Sequence, residues 1–462
     1  MRTLSFLFVL ALAHSQSAPK AQLAILGEGG IEFKFPDQSG LQEIGVHYNI
    51  NEPILGENGH NNYEITSKSG DGMWHHINNN IVVNKGDTVN YALYYKINGV
   101  GHIQEGLTWT AGGSASQGHN TNSPITPRPT AGTQTGNLKL IFEDDFSGRK
   151  LDLSKWKQEV SAFGGGNWEF QVYTPDPENT FIKNGVLHMK PTLTADKFGE
   201  NFLYHGDLNV QQQWGVCTDS RWYGCERNSK DNLIPPILSS KIISKIEFKY
   251  GRVEVVAQLP LGDWIWPSIW LMPTDFHYGG WPMSGEIDIV EARCNRELGD
   301  IGIKRIMSTL HWGPKPEQDM WTKTTQGKTL TQGTWADDFH KYTLDWTADH
   351  ITILVDDSPI LNRSAPSDGF WGLGGFSGNN IWAQGEPMAP FDQKFHFQMN
   401  VAVGGTLGYF PDGISNDKPW CNTCPDAGQS NRKFWEGKSK WLPTWQGDKV
   451  AMKVKSVKIW SY

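Results

Sequence analysis

Residues Gly285-Glu286-Ile287-Asp288-Ile289-Val290-Glu291 set three carboxylates among aliphatic side chains. On a β-strand, Glu286 and Asp288 point to one side and Ile287 and Ile289 to the other, so the aliphatics can enter a core while the acids line a surface. Glu291 breaks that alternation by one residue. A β-bulge at Ile289 and Val290 restores it and brings the acids into one row. Four strand steps of about 3.3 Å separate the outer Cα atoms by roughly 13 Å, and glutamates leaning inward approach the ~5 to 5.5 Å of a retaining glycosidase. In that chemistry one glutamate attacks an anomeric carbon. The other protonates the leaving oxygen and later deprotonates water, while a shared proton or hydrogen bond at the central aspartate keeps their protonation states apart. A solvated strand face could carry the same string, so the surroundings must decide.

Those surroundings are aromatic. Trp264, Trp266, Trp270 and Trp281 lie just upstream, with Trp168, Trp312 and Trp346 elsewhere in the same part of the chain. Sugar rings present apolar C–H faces, so a polysaccharide site needs flat platforms beside its carboxylates and amides. Indoles also fill cores, and alternating strand geometry predicts that half or more of the 21 tryptophans are structural.

The elements that must hold these residues read as strands. Gly251 to Leu259, Lys341 to Thr347, His350 to Asp357 and Val450 to Trp460 alternate apolar with polar residues, and no stretch sustains a 3.6-residue apolar period. Two stacked antiparallel sheets satisfy that pattern. Nearer the N-terminus, Ile31 to Phe35, Gln42 to Ile50, Asn80 to Val83 and Thr88 to Ile97 are shorter runs divided by turn clusters such as PDQSG and NKGD, which predicts a small β-sandwich. Between them, residues 112–137 are Gly, Ser, Thr, Asn and Pro with almost nothing aliphatic to bury, the composition of a linker. The expected organisation is a leader at 1–15, a binding module at 20–111, that linker, and a large domain at 138–462.

Charged residues make up 19% of the 462 positions and the formal net charge is −8, which leaves no basic footprint for nucleic acid or an anionic membrane. Arg2, the apolar run Leu4 to Ala13 and the small residues Ala13 and Ser15 fit a cleavable signal peptide, and that run is too short to span a bilayer. Secretion is therefore expected. In an oxidising compartment the close pairs Cys217/Cys225 and Cys421/Cys424 predict two local disulfides, with Cys294 left free. Asn362-Arg363-Ser364 is an N-glycosylation acceptor triplet.

Taken in order, LIFEDDFSG with LDLSKW, NWEFQVYT, YGRVEVVAQLPLGDWIWPSIWLMP, GEIDIVEA, FHKYTLDWTADHITILVDD and NVAVGG resemble glycoside hydrolase family 16, in its laminarinase branch, across nearly all of Leu138 to Tyr462. The resemblance implies a β-jelly roll of the concanavalin A-like kind, with Glu286 as nucleophile, Asp288 as assisting carboxylate and Glu291 as acid/base. By the same match, Trp266 and Trp270 are expected as cleft platforms, with Trp168, Arg252 and His311 as further sugar contacts. Family members hold a calcium ion with help from an aspartate in the last strand. Lys455 stands at the matching place here, so no metal and no cofactor is expected.

FPDQSG, Gly59-His60, Gly72-x-Trp74, Lys85-Gly86-Asp87 and Trp109 resemble carbohydrate-binding module family 39, which implies an immunoglobulin-like β-glucan-binding sandwich. That family has an aromatic residue after Gly-His, where this chain has Asn61. Trp74 and Trp109 could equally be core residues of the small sandwich. The expectation is an all-β, secreted endo-β-1,3-glucanase with β-1,3-glucan as partner. Its alternative is a recognition protein of innate immunity that binds the glucan without cutting it and passes the signal to immune-cascade proteins.

Overall fold

The computed structural model describes residues 19–26, 30–51, 61–65, 68, 71–78, 82–97, 100–112, 138–424 and 429–462. The expected leader and residues 113–137 of the linker lie outside them, as does the Gly59-His60 pair. Among the described residues no helix is long and apolar enough to cross a membrane.

Near the N-terminus, antiparallel strands Gln22–Ile25, Ile31–Phe35 and Trp74–Asn78 form one sheet. Asn61–Ile65, Leu41–Ile50, Thr88–Ile97 and Val100–Thr110 form a second. Their core gathers Phe33, Ile44, Tyr48, Val89 and Leu93 with Trp74 and Trp109. The two indoles are thus structural, and Trp74 also donates to Asp37 at 3.0 Å. The strand expected at Asn80 to Val83 is not seen, since Val82 and Val83 belong to no strand and residues 80 and 81 lie outside the described set.

The large segment is a jelly-roll sandwich of two antiparallel sheets. One runs in the order Thr325–Thr329, Arg305–His311, Glu286–Ala292, Ile265–Pro273, Phe395–Val403, Lys241–Phe248, Trp156–Gln158. The opposite sheet runs Thr180–Lys183, Val186–Met189, Met452–Ser461, Gly251–Gln258, His340–Trp346, His350–Val355, Ser358–Ser364, with Lys139–Asp144 also paired to Met452–Ser461. Period-two alternation sends Ile269, Leu271, Ile287, Ile289, Phe397 and Met399 from the first sheet against Val253, Val255, Leu344, Ile353 and Val457 from the second. The dry interior between them fixes register, because a one-residue slip would expose every one of these side chains.

A second apolar cluster, around Phe170, Trp264, Trp420, Phe434 and Trp441, packs beyond one end of the acid-bearing sheet. Short helices at Val210–Trp214 and Ser430–Glu436 contribute to it. At five and seven residues, they are too brief to print a helical period on the sequence.

Candidate active site

Glu286, Asp288 and Glu291 sit on the Glu286–Ala292 strand, flanked by Ile265–Pro273 on one side and Arg305–His311 on the other. Register shows how they share a face. Trp270 pairs with Asp288 but Ile269 with Val290, and on the far side Thr309 pairs with Asp288 while Met307 pairs with Glu291. One extra residue is therefore held at Ile289 and Val290, where a bulge had been expected. Both aliphatics are buried, and the Ile289 carbonyl accepts the Ser308 hydroxyl at 2.7 Å. Gly285, just before the strand, has φ 84°, and a Cβ there would lie 2.9 Å from the Phe391 ring, so position 285 has room only for glycine.

Each acid has its own holder. The Trp281 indole donates to Glu286 Oε2 at 2.6 Å, and the Trp266 indole donates to Glu291 Oε1 at 2.8 Å, with the Ser268 hydroxyl at 3.4 Å. His311 Nε2 faces Asp288 Oδ2 at 3.3 Å as a charge contact, while its Nδ1 bonds Asp319 at 2.5 Å. Asp319 in turn accepts the Trp312 backbone N–H at 3.1 Å.

Burial and then the Asp288 charge push Glu286 well above the ordinary carboxylate range. The same two causes raise Glu291 to about 7. Burial alone would neutralise His311, but its contacts with Asp288 and Asp319 outweigh that and hold it well above the ordinary histidine range. The cluster thus keeps protons at neutral pH, and an imidazolium balances part of its negative charge. Donor atoms of Glu286, Asp288 and His311 lie within 4.8 Å of one another.

Trp270 shares the face of the acids, half-exposed, with its indole on Asn400 at 2.7 Å and the Lys241 ammonium 5.3 Å from its ring. Asn400 continues to the Tyr173 hydroxyl at 3.0 Å, and Lys241 pairs with the buried Glu159 at 2.5 Å. Trp168 is half-buried, at φ 52°, edge-on to Trp222 with 4.7 Å between centroids. Next to it Glu169 is raised to about 7 by burial, against the hydrogen bond from Gln171.

Two expected sugar contacts need correction. Trp266 is only 7% exposed, stacked flat on Tyr409 at 3.6 Å, so it anchors Glu291 instead of offering a platform. Arg252 lies in the opposite sheet: Val253, Val255 and Ala257 alternate into the core, which turns Arg252 outward to Asp345 at 3.1 Å, away from the acids. His311, expected as a further sugar contact, stands among the acids themselves, partly exposed beside Asp288. The Asp319 link was not anticipated, because nothing in the spacing of His311 and Asp319 marks a loop that folds back.

Disulfides join Cys217 to Cys225 and Cys421 to Cys424, and Cys294 is free and buried. Asn362 is exposed on the outermost strand of the opposite sheet, within reach of a glycan. Lys455, at the position to which the resemblance assigns a calcium ligand, places its ammonium 3.9 Å over the Phe339 ring, and an ammonium offers no lone pair to that ion.

The profile of glycosyl hydrolases family 16 matches residues 206–370, and the CBM39 profile, described as a carbohydrate binding domain (family 32), matches residues 17–125. A β-1,3-glucan-binding protein of Penaeus monodon is 43% identical over 339 residues, covering 70% of this chain and 90% of that protein. Beta-1,3-glucan-binding protein 1 of Manduca sexta is 30% identical and that of Galleria mellonella 29% identical, each over 96% of this chain and 95% of its own. A glucan endo-1,3-beta-glucosidase A1 of Niallia circulans is 31% identical over 313 residues, covering 62% of this chain and 38% of that one. Among solved structures, the laminarinase from Rhodothermus marinus aligns with a TM-score of 0.43 at 25% identity, over 70% of this chain and 98% of its own.

Proposed function

Since this chain belongs to the β-1,3-glucan-binding protein family, built from a glycosyl hydrolase family 16 domain and an N-terminal carbohydrate-binding module, we propose that it is an exported protein that both binds β-1,3-glucan and cuts it internally, with retention of configuration. The observation that carries this reading is the complete acid row, three carboxylates on one face across a bulge, the two glutamates each held by an indole donor and Asp288 facing the His311 ring.

In the proposed reaction Glu286 attacks the anomeric carbon, and Glu291, protonated near neutrality, donates to the leaving oxygen. Burial and the Asp288 charge work against the Glu286 anion, the Trp281 N–H and the His311 charge favour it, and attack proceeds from the state of the coupled cluster in which Glu286 is the anion and Glu291 holds the proton. Positive charge developing on the sugar ring adds to these, so the carboxylate is best stabilised as the bond breaks. Glu291, left as carboxylate, then takes a proton from the water that releases the glycosyl-enzyme. Asp288 with His311 separates the charge states of the two glutamates.

A second reading, recognition without turnover feeding an immune cascade, is favoured by the names of the Penaeus monodon and Manduca sexta relatives, which speak of binding. Release of reducing ends from laminarin by wild type and by Glu286→Gln decides between them. Turnover by wild type that is abolished in the variant supports cutting. A folded wild type that is retained on glucan yet releases nothing leaves recognition alone.

A further inference from the structure

Trp270 lies on one flank of the acid strand, and the strand on the other flank ends at His311. Beyond His311 the chain turns through Trp312 and Asp319 to Trp321. These two tryptophans have opposite fates. Trp312 is fully buried against Phe370, with its indole bonded to the Thr324 hydroxyl at 2.7 Å. Trp321 is 43% exposed and lies 6.4 Å, centroid to centroid, from the His311 ring, which itself lies 5.6 Å from Trp281. Trp281, His311 and Trp321 therefore form a continuous row of rings leading away from Glu286.

The turn that carries Trp321 is pinned. Asp319 accepts the Trp321 backbone N–H at 3.2 Å with the same carboxylate that holds His311 and the Trp312 backbone. Lys323 reaches the Leu373 carbonyl at 2.8 Å, and Arg363 holds the Lys323 carbonyl at 3.0 Å. A large indole is thus kept open to solvent on a braced support, where ordering it against a ligand costs little entropy.

We infer that Trp321 is a sugar-stacking platform that extends the glucan site past His311, on the side of the acid row away from Trp270. The ligand is a β-linked glucose chain, whose apolar C–H face matches an open indole and whose hydroxyls leave the ring edge wet. The inference rests on the reading of this cleft as a glucan site, and it deepens that reading: an enzyme that cuts within a chain must hold sugar on both sides of the scissile bond, and Trp321 supplies the second side.

The test is calorimetric titration of laminari-oligosaccharides of increasing length into Glu286→Gln protein, which leaves them uncut, with and without Trp321→Ala or Trp321→Tyr. Trp321→Ala is expected to weaken the longest oligomers by about three- to tenfold, a loss that grows with chain length, and Trp321→Tyr to recover most of it. No loss at any length, or the same loss at every length, overturns the platform. A length-dependent loss in a protein whose wild type cuts nothing upholds the platform while hydrolysis fails. Laminarin turnover without any dependence of affinity on Trp321 upholds hydrolysis and overturns the platform.

Discussion

Trp266 and Glu291 are joined by an indole hydrogen bond of 2.8 Å while Tyr409 covers the indole's face at 3.6 Å, so a buried ring fixes the position of the proposed acid/base. That bond favours the anion and works against the burial that raises Glu291 to about 7. Glu291 must be protonated to assist departure, so kcat/KM on laminarin is expected to decline above about pH 7. Trp266→Phe removes the donor, raises the glutamate further, and should move that alkaline limb upward by about one unit while lowering kcat. A pH–rate profile of both proteins checks the direction.

Folding stability should follow the buried acids. Glu291 and Glu169 are raised from 4.5 to about 7, so between those values the folded chain keeps protons that the unfolded chain has lost. Stability therefore falls as pH rises through that window, by up to ~3 kcal/mol for each group. Thermal unfolding in buffers spanning the window should show the decline, and Glu169→Gln should flatten part of it. A slope unchanged by that substitution would contradict the assignment to Glu169.

Gly285→Ala is expected to damage the site through the backbone. At φ 84° an alanine is strained, and its methyl meets Phe391, which together should cost about 1–3 kcal/mol. Because Glu286 follows directly, kcat should drop more than KM rises. Unfolding midpoints and steady-state kinetics separate the two effects.

The small sandwich and the large one own separate buried clusters. A protease acting briefly on the native protein should cut first within the Gly, Ser, Thr and Pro stretch 112–137 and leave two folded fragments. Loss of cooperative unfolding in either fragment would show that they fold as one.

Strand alternation made the acid face legible, because the interior tolerates no polar register error and Ile287 and Ile289 had to turn inward. Even the bulge could be read, since Glu291 had no other way to share the face of Glu286 and Asp288. Arg252 shows the limit: alternation tells that it points away from Val253, but not which of two sheets carries the strand. Trp266 shows another, for a tryptophan on the right face can still be covered by Tyr409 from a distant loop. The pinning of His311 by Asp319 depends on a turn whose path no local propensity dictates.

Shortening the acid strand at Ile289 and Val290 by a single codon triplet would remove the bulge yet leave Glu291 opposite Met307, on the face of Glu286 and Asp288 in plain alternation. What the insertion adds is therefore the local bend and twist of the strand between the acids.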